Sequence, residues 1–180
     1  MKLLGFIVLS LVCLGCHSRP TDDNGKRMRT WIPEEIGVIP DKQAFMEMLV
    51  EKTVGILNNE PIDIYVNPTF LPTVIASEYD TLWTDERMDR VIQAAAKNGV
   101  AIEINARYKL PSEKFIKKAK AAGVKFSFGT NNGGKDDLGD LAYSRLMAKR
   151  CGLMKEDMFV PKPDGQKPVQ VRKRQAAPGR

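Results

Sequence analysis

From Val124 to Asp137 the chain reads Val-Lys-Phe-Ser-Phe-Gly-Thr-Asn-Asn-Gly-Gly-Lys-Asp-Asp, an apolar strand pattern that runs into a polar glycine loop. Gly129 to Lys135 has the G-x-x-x-x-G-K spacing with which backbone N–H groups and a lysine cradle phosphate. That chemistry also needs a Ser or Thr hydroxyl directly after the lysine to hold magnesium, and Asp136 stands there. Asp136 and Asp137 are expected to open a helix and satisfy its positive end themselves, which would repel a triphosphate. The groups left for binding are the carboxamides of Asn131 and Asn132 and the ammonium of Lys135. Turn chemistry alone would also account for the two asparagines, because Asn tolerates positive φ.

A second polar set lies upstream. Glu103 and Asn105 flank Ile104 in a strand pattern, so both side chains point to the same side of that strand. A buried glutamate needs a partner, and Arg107 and Lys135 are the nearby cations. Asn67 precedes Pro68, which biases it to extended or turn geometry. Asn67, Glu103, Asn105, Asn131, Asn132 and Lys135 therefore form the candidate ligand-binding set, with Glu103 the candidate catalytic group. A purely structural hydrogen-bond network is the competing reading.

The elements that must position these residues follow one repeated plan. Asp41 is placed to cap a helix through Leu57 that buries Phe45, Met48, Leu49, the stem of Lys52 and Ile56. Ile62–Val66 reads as a strand. Thr84 caps a helix over Asp85–Asn98, with acids in its first turn and Gly99 beyond its end, and Val100–Ile104 is the next strand. Ser112 starts a helix through Ala122 closed by Gly123, Val124–Phe128 is the third strand, and a last helix is expected from Asp136 or Asp137 to Cys151. Strands separated by helices of this length imply right-handed parallel crossovers, so the loops beginning at Asn67, Asn105 and Gly129 should meet on one face. The predicted fold class is α/β, with alternating β/α units and parallel strands.

The segments Ile62–Pro68, Gly99–Asn105, Pro111–Gly123, Val124–Thr130 and Leu138-Gly-Asp-Leu-Ala-Tyr143 resemble the carboxyl-terminal half of the polymerase-and-histidinol-phosphatase (PHP) superfamily, over roughly residues 40–160. The resemblance implies part of a TIM-like barrel in which histidines and acids at strand ends bind divalent metals for phosphoester hydrolysis. Carried onto this chain, the family's His-Pro becomes Asn67-Pro68, its Asp-x-His becomes Asn131-Asn132-Gly133, and its amino-terminal His-x-His has no counterpart. Asn67, Asn131 and Gly133 are thus degenerate metal positions. A carboxamide is a weak neutral ligand beside imidazole or carboxylate, so no cofactor is expected. The expected role is that of a catalytically degenerate binding or structural domain. The alternative is a metal-dependent hydrolase completed by a missing segment or a partner chain. Three strands cannot close a barrel, so a homo-oligomer or another partner is expected to cover the sheet edges.

The ends of the chain carry different information. Residues 1–16 read as a secretory signal, Lys2 followed by an apolar run too short to span a membrane comfortably. Leu14-Gly15-Cys16 resembles the end of a bacterial lipobox, which would make Cys16 the lipidated first mature residue; simple cleavage and a retained anchor are the alternatives. The expected location is the bacterial cell envelope, anchored to the membrane by lipid. Residues 17–39 form a linker that holds His17, the sole histidine of the chain. Cys151 is then the one cysteine of the mature domain and is expected to be a buried hydrophobe. The formal charge is +6, but from Lys162 onward six cations face only Asp164, so this tail holds +5 of it. Prolines at 161, 163, 168 and 178 predict that residues 161–180 are a flexible basic extension, and no aromatic residue interleaves with its cations as nucleic-acid stacking would require.

Overall fold

The computed structural model describes residues 36–135 and 138–176. The expected signal sequence with Cys16, most of the linker and the helix start assigned to Asp136 or Asp137 lie outside the described residues.

Helix α1 spans Lys42–Asn59, opened by Asp41, whose Oδ1 accepts the Ala44 N–H at 2.9 Å. Its buried residues are Met46, Val50, Thr53 and Leu57. This face is rotated by about one residue from the expected one; Lys52 is exposed, and Phe45 and Leu49 only flank the core. The helix is apolar on both candidate faces, so its packing against a later helix decides between them. Strand β1 covers Ile64–Tyr65. A 3-10 turn over Ala76–Glu78 leads into the short α2, Tyr79–Leu82.

Helix α3, Asp85–Asn98, has the expected bounds. Thr84 caps its start, and Gly99 at φ 63° ends it in the left-handed region that suits glycine. Strand β2, Ala101–Asn105, is buried along its whole length. Helix α4, Glu113–Ala121, starts at Ser112, whose Oγ accepts the Phe115 N–H at 3.3 Å. Strand β3 is Phe126–Gly129.

The three strands form one parallel sheet in the order β1-β2-β3. Register and alternation place Tyr65, Ile102, Ile104, Phe126 and Phe128 on one face. Ile102, Ile104 and Phe126 join Val91, Ala95, Phe115, Ile116 and Ala119 from α3 and α4 in the core, with α1 packed on α3. The opposite face carries Ile64 on β1 and then Ala101, Glu103, Asn105, Ser127 and Gly129, a run of small and polar residues that leads to the carboxyl ends of β2 and β3. The outer edge of β3 is met by the segment after a 3-10 turn at Lys155–Asp157: Met158 bridges Phe126 in parallel, and the Phe159 N–H donates to the Phe126 carbonyl at 2.7 Å.

Two expectations about elements need correction. Helix α5 begins at Ala142 and ends at Arg150, not at Asp136 or Asp137. Gly139 takes φ 69° and Asp140 Oδ1 accepts the Ala142 N–H at 2.8 Å, so a turn separates the glycine loop from the helix. Composition also argued against a helix in the basic tail, yet Pro168–Ala176 forms helix α6. Pro168 is its first residue, where a missing N–H removes no helical hydrogen bond. Arg172 holds α6 to the body by donating to the carbonyls of Leu57, Glu60 and Ile62 at 3.1, 2.9 and 2.8 Å.

Candidate functional site

The loops after β1, β2 and β3 bring Asn67, Glu103, Asn105 and Asn131 together at the carboxyl ends of the strands. Glu103, 7% exposed, points across the sheet toward β3. Its Oε2 accepts the backbone N–H of Asn67 at 2.9 Å and the Asn105 side-chain amide at 3.1 Å. The same Asn105 Nδ2 donates to Asn131 Oδ1 at 2.6 Å, and Asn105 Oδ1 accepts the Tyr108 N–H at 3.0 Å. Asn105 is fully buried with both amide protons and its carbonyl oxygen engaged, so it acts as the hub that ties the carboxylate to the glycine loop and to the loop after β2.

The backbone explains why asparagines stand here. Asn67, Asn131 and Asn132 have φ of 49°, 61° and 46°, the left-handed region that Asn enters more readily than other non-glycine residues. Asn132 orders the glycine loop, accepting the Thr130 hydroxyl and, at 3.1 Å, the Gly139 N–H on its Oδ1. Sequence reasoning passed over Thr130 and Tyr108, which enter this network through a hydroxyl and a main-chain N–H.

Other candidates are placed elsewhere. Lys135 is exposed, and among the described residues neither it nor Arg107 pairs with Glu103, whose partners are amide N–H groups. Arg107 lies along Gly133, where an added β-carbon would stand 2.0 Å from a guanidinium nitrogen, and its Cζ is 5.9 Å from the Tyr108 ring centroid. That contact is with the far end of a flexible exposed side chain, which can shift, so it does not by itself demand glycine at 133. A phosphate cradle needs a helix to start at its lysine, and here the next helix starts at Ala142.

The donor set does not fit the metal centre implied by the PHP resemblance. Among the described residues Glu103 supplies the one carboxylate of the network, with Oε2 taken by two N–H donors; Asn131 Oδ1 is engaged by Asn105, and Gly133 has no side chain. No group of three or more His, Cys, Asp or Glu side chains able to hold a metal ion occurs among the described residues. Two oxygens of the site do stay open among the described residues. Glu103 Oε1 accepts no hydrogen bond, and Asn67 Oδ1 is buried without a partner.

Cys151 is buried, with its thiol toward the Glu113 carbonyl at 3.8 Å, and burial followed by the nearby Glu113 charge raises its pKa. It packs as a small hydrophobe, unlike an activated nucleophile. Trp83 is also core, donating Nε1–H to the Thr69 carbonyl at 3.1 Å.

No family model matches the chain, and no curated protein or solved structure matches it.

Proposed function

We propose that the chain is an exported, lipid-anchored and catalytically degenerate relative of the PHP superfamily that binds a ligand or supports an assembly and performs no hydrolysis. The observation that carries this reading is the position of Asn105. Its amide nitrogen donates both to Glu103 Oε2 and to Asn131 Oδ1, so two of the oxygens at the strand ends are spent on a neutral carboxamide. A network of this kind orders the three loops through neutral amide donors, without a second charged group to activate water. The partial barrel fits sequential parallel strands with α3 and α4 packed on one face. Small and polar side chains on the other face suit a barrel interior opened along its side, where a second copy or another partner would lie.

The test is metal analysis of the purified full chain with phosphoesterase assays across magnesium, manganese and zinc. Absence of both stoichiometric metal and turnover is expected. The second reading, a hydrolase completed by a further segment or partner chain, draws on the open Glu103 Oε1 and Asn67 Oδ1. Stoichiometric divalent metal lost in Glu103→Gln would decide for it. For export, Cys16→Ser should move the protein from the membrane to the soluble fraction.

A further inference from the structure

We propose that the cleft between the loop after β1, the loop after β2 and helix α5 is a separate ligand site, suited to a small organic anion with a flat apolar body. The cleft is wide open to solvent on one side and offers about 600 Å³, within the size range of small-molecule sites. It lies beyond Tyr108, on the far side of that residue's N–H bond to Asn105, and its lining includes none of the Asn67, Glu103, Asn105 and Asn131 set.

Its walls are aromatic and fixed in advance. Phe70 and Tyr108 meet edge to face with centroids 5.0 Å apart. The Tyr79 hydroxyl donates to Thr69 Oγ1 at 2.6 Å and accepts the Ser112 N–H at 3.3 Å, while the Tyr143 hydroxyl donates to the Pro111 carbonyl at 2.7 Å. With both hydroxyl protons committed, these rings present π faces and edges to a guest, which favours a flat apolar group over a polyol that needs donors.

The mouth selects for negative charge. Lys109 and Arg150 line it against a single acid, Glu113, whose carboxylate is already shared between Lys117 at 2.7 Å and Arg150 at 3.5 Å. Among the described residues Lys109 has no ion-pair partner. Its backbone is held at φ 53°, in the left-handed region that a β-carbon disfavours, by the paired bonds between Asn105 and Leu110 at 2.7 and 3.1 Å. The turn thus fixes the backbone from which an exposed lysine side chain starts at the edge of an aromatic cleft.

Calorimetric titration of the full chain with 2-naphthoate, and with the neutral 2-naphthylmethanol, tests this. Saturable one-to-one binding of the naphthoate is expected, at least roughly tenfold weaker for the alcohol and for Lys109→Gln, and abolished in Tyr108→Ala. Both variants change exposed side chains, and far-ultraviolet circular dichroism checks that they fold. If Tyr108→Ala does not fold, Lys109→Gln and the neutral alcohol decide. The absence of saturable naphthoate binding, or equal binding of acid and alcohol unaffected by Lys109→Gln, overturns the proposal.

Discussion

A β-carbon on Gly129 would stand 1.8 Å from Oε1 of Glu103. The two residues are on neighbouring strands, where Glu103 pairs in register with Ser127 and Asn105 with Gly129, so the carboxylate leans diagonally over the strand end into space that only glycine leaves. The first glycine of the phosphate-loop spacing is thereby explained by the packing of a buried acid.

That relationship predicts a compensating pair. Gly129→Ala should push Glu103 off the Asn67 N–H and cost about 1–3 kcal/mol, whereas Gly129→Ala added to Glu103→Ala should cost far less because the clash is gone. Urea unfolding of the two single variants and the double variant measures the coupling. Additive effects would show that Glu103 does not occupy the space beside Gly129.

The hub role of Asn105 gives a prediction with a pH signature. Asn105→Asp replaces the amide that donates to Glu103 and Asn131 with a second acid beside the first. Near neutrality the loss should be roughly 2–4 kcal/mol from like charge and lost donors. Crowding raises the folded pKa of one carboxyl above its unfolded value, so protonation relieves the variant. Its deficit should shrink as pH falls below that raised value and be fully expressed above it. Denaturant midpoints of variant and parent across the acid range would show this, and a deficit independent of pH would contradict it.

These residues also mark how far local sequence signals reach. The ends of α3 were legible because Thr84, Asp85, Glu86 and Gly99 cap the helix through contacts within one turn. The shared side of Glu103 and Asn105 followed from strand alternation. The Asn105–Asn131 bond and the Glu103–Gly129 approach depend on the register between β2 and β3, which alternation leaves open. The start of α5 was misplaced because Asp136 and Asp137 have the composition of a helix cap, while the turn through Gly139 and Asp140 sets the actual start. The aromatic cleft was not legible at all, since Phe70, Tyr79, Tyr108 and Tyr143 come from two separate loops and two separate helices.

Tyr143 predicts behaviour at the alkaline end. Burial, with Tyr79 nearby, raises its phenol pKa from 10.0 to about 12. A raised folded value means that the stability tied to the neutral phenol is complete below the unfolded pKa of 10.0 and is lost as pH climbs through about 12. Tyr143→Phe should remove this part of the alkaline stability loss and delete one late-titrating tyrosine from the phenolate absorbance curve. Loss of a tyrosine that titrates near the ordinary value of 10.0, with the late step kept, would place Tyr143 in solvent.

The docking of α6 can be tested by removing one side chain. Arg172 reaches the end of α1, whose last carbonyls have no helical donors, and its bond to Leu57 joins residues 115 positions apart. Burial comes first in lowering the Arg172 pKa, partly offset by the Asp63 charge, which fits a guanidinium drawn out of solvent onto main-chain carbonyls. Charge-assisted bonds of this kind contribute about 1.5–3 kcal/mol each at most, and the partial exposure of Arg172 reduces the sum, so Arg172→Ala should cost about 1–2 kcal/mol overall. Arg172→Lys should recover only part, because an ammonium cannot spread its donors over three carbonyls as a planar guanidinium does. Hydrogen exchange should then report faster opening at the end of α1 and across α6, with β2 unchanged. If α6 were a solvated extension, Arg172→Ala would alter neither the urea midpoint nor protection at Leu57 through Ile62.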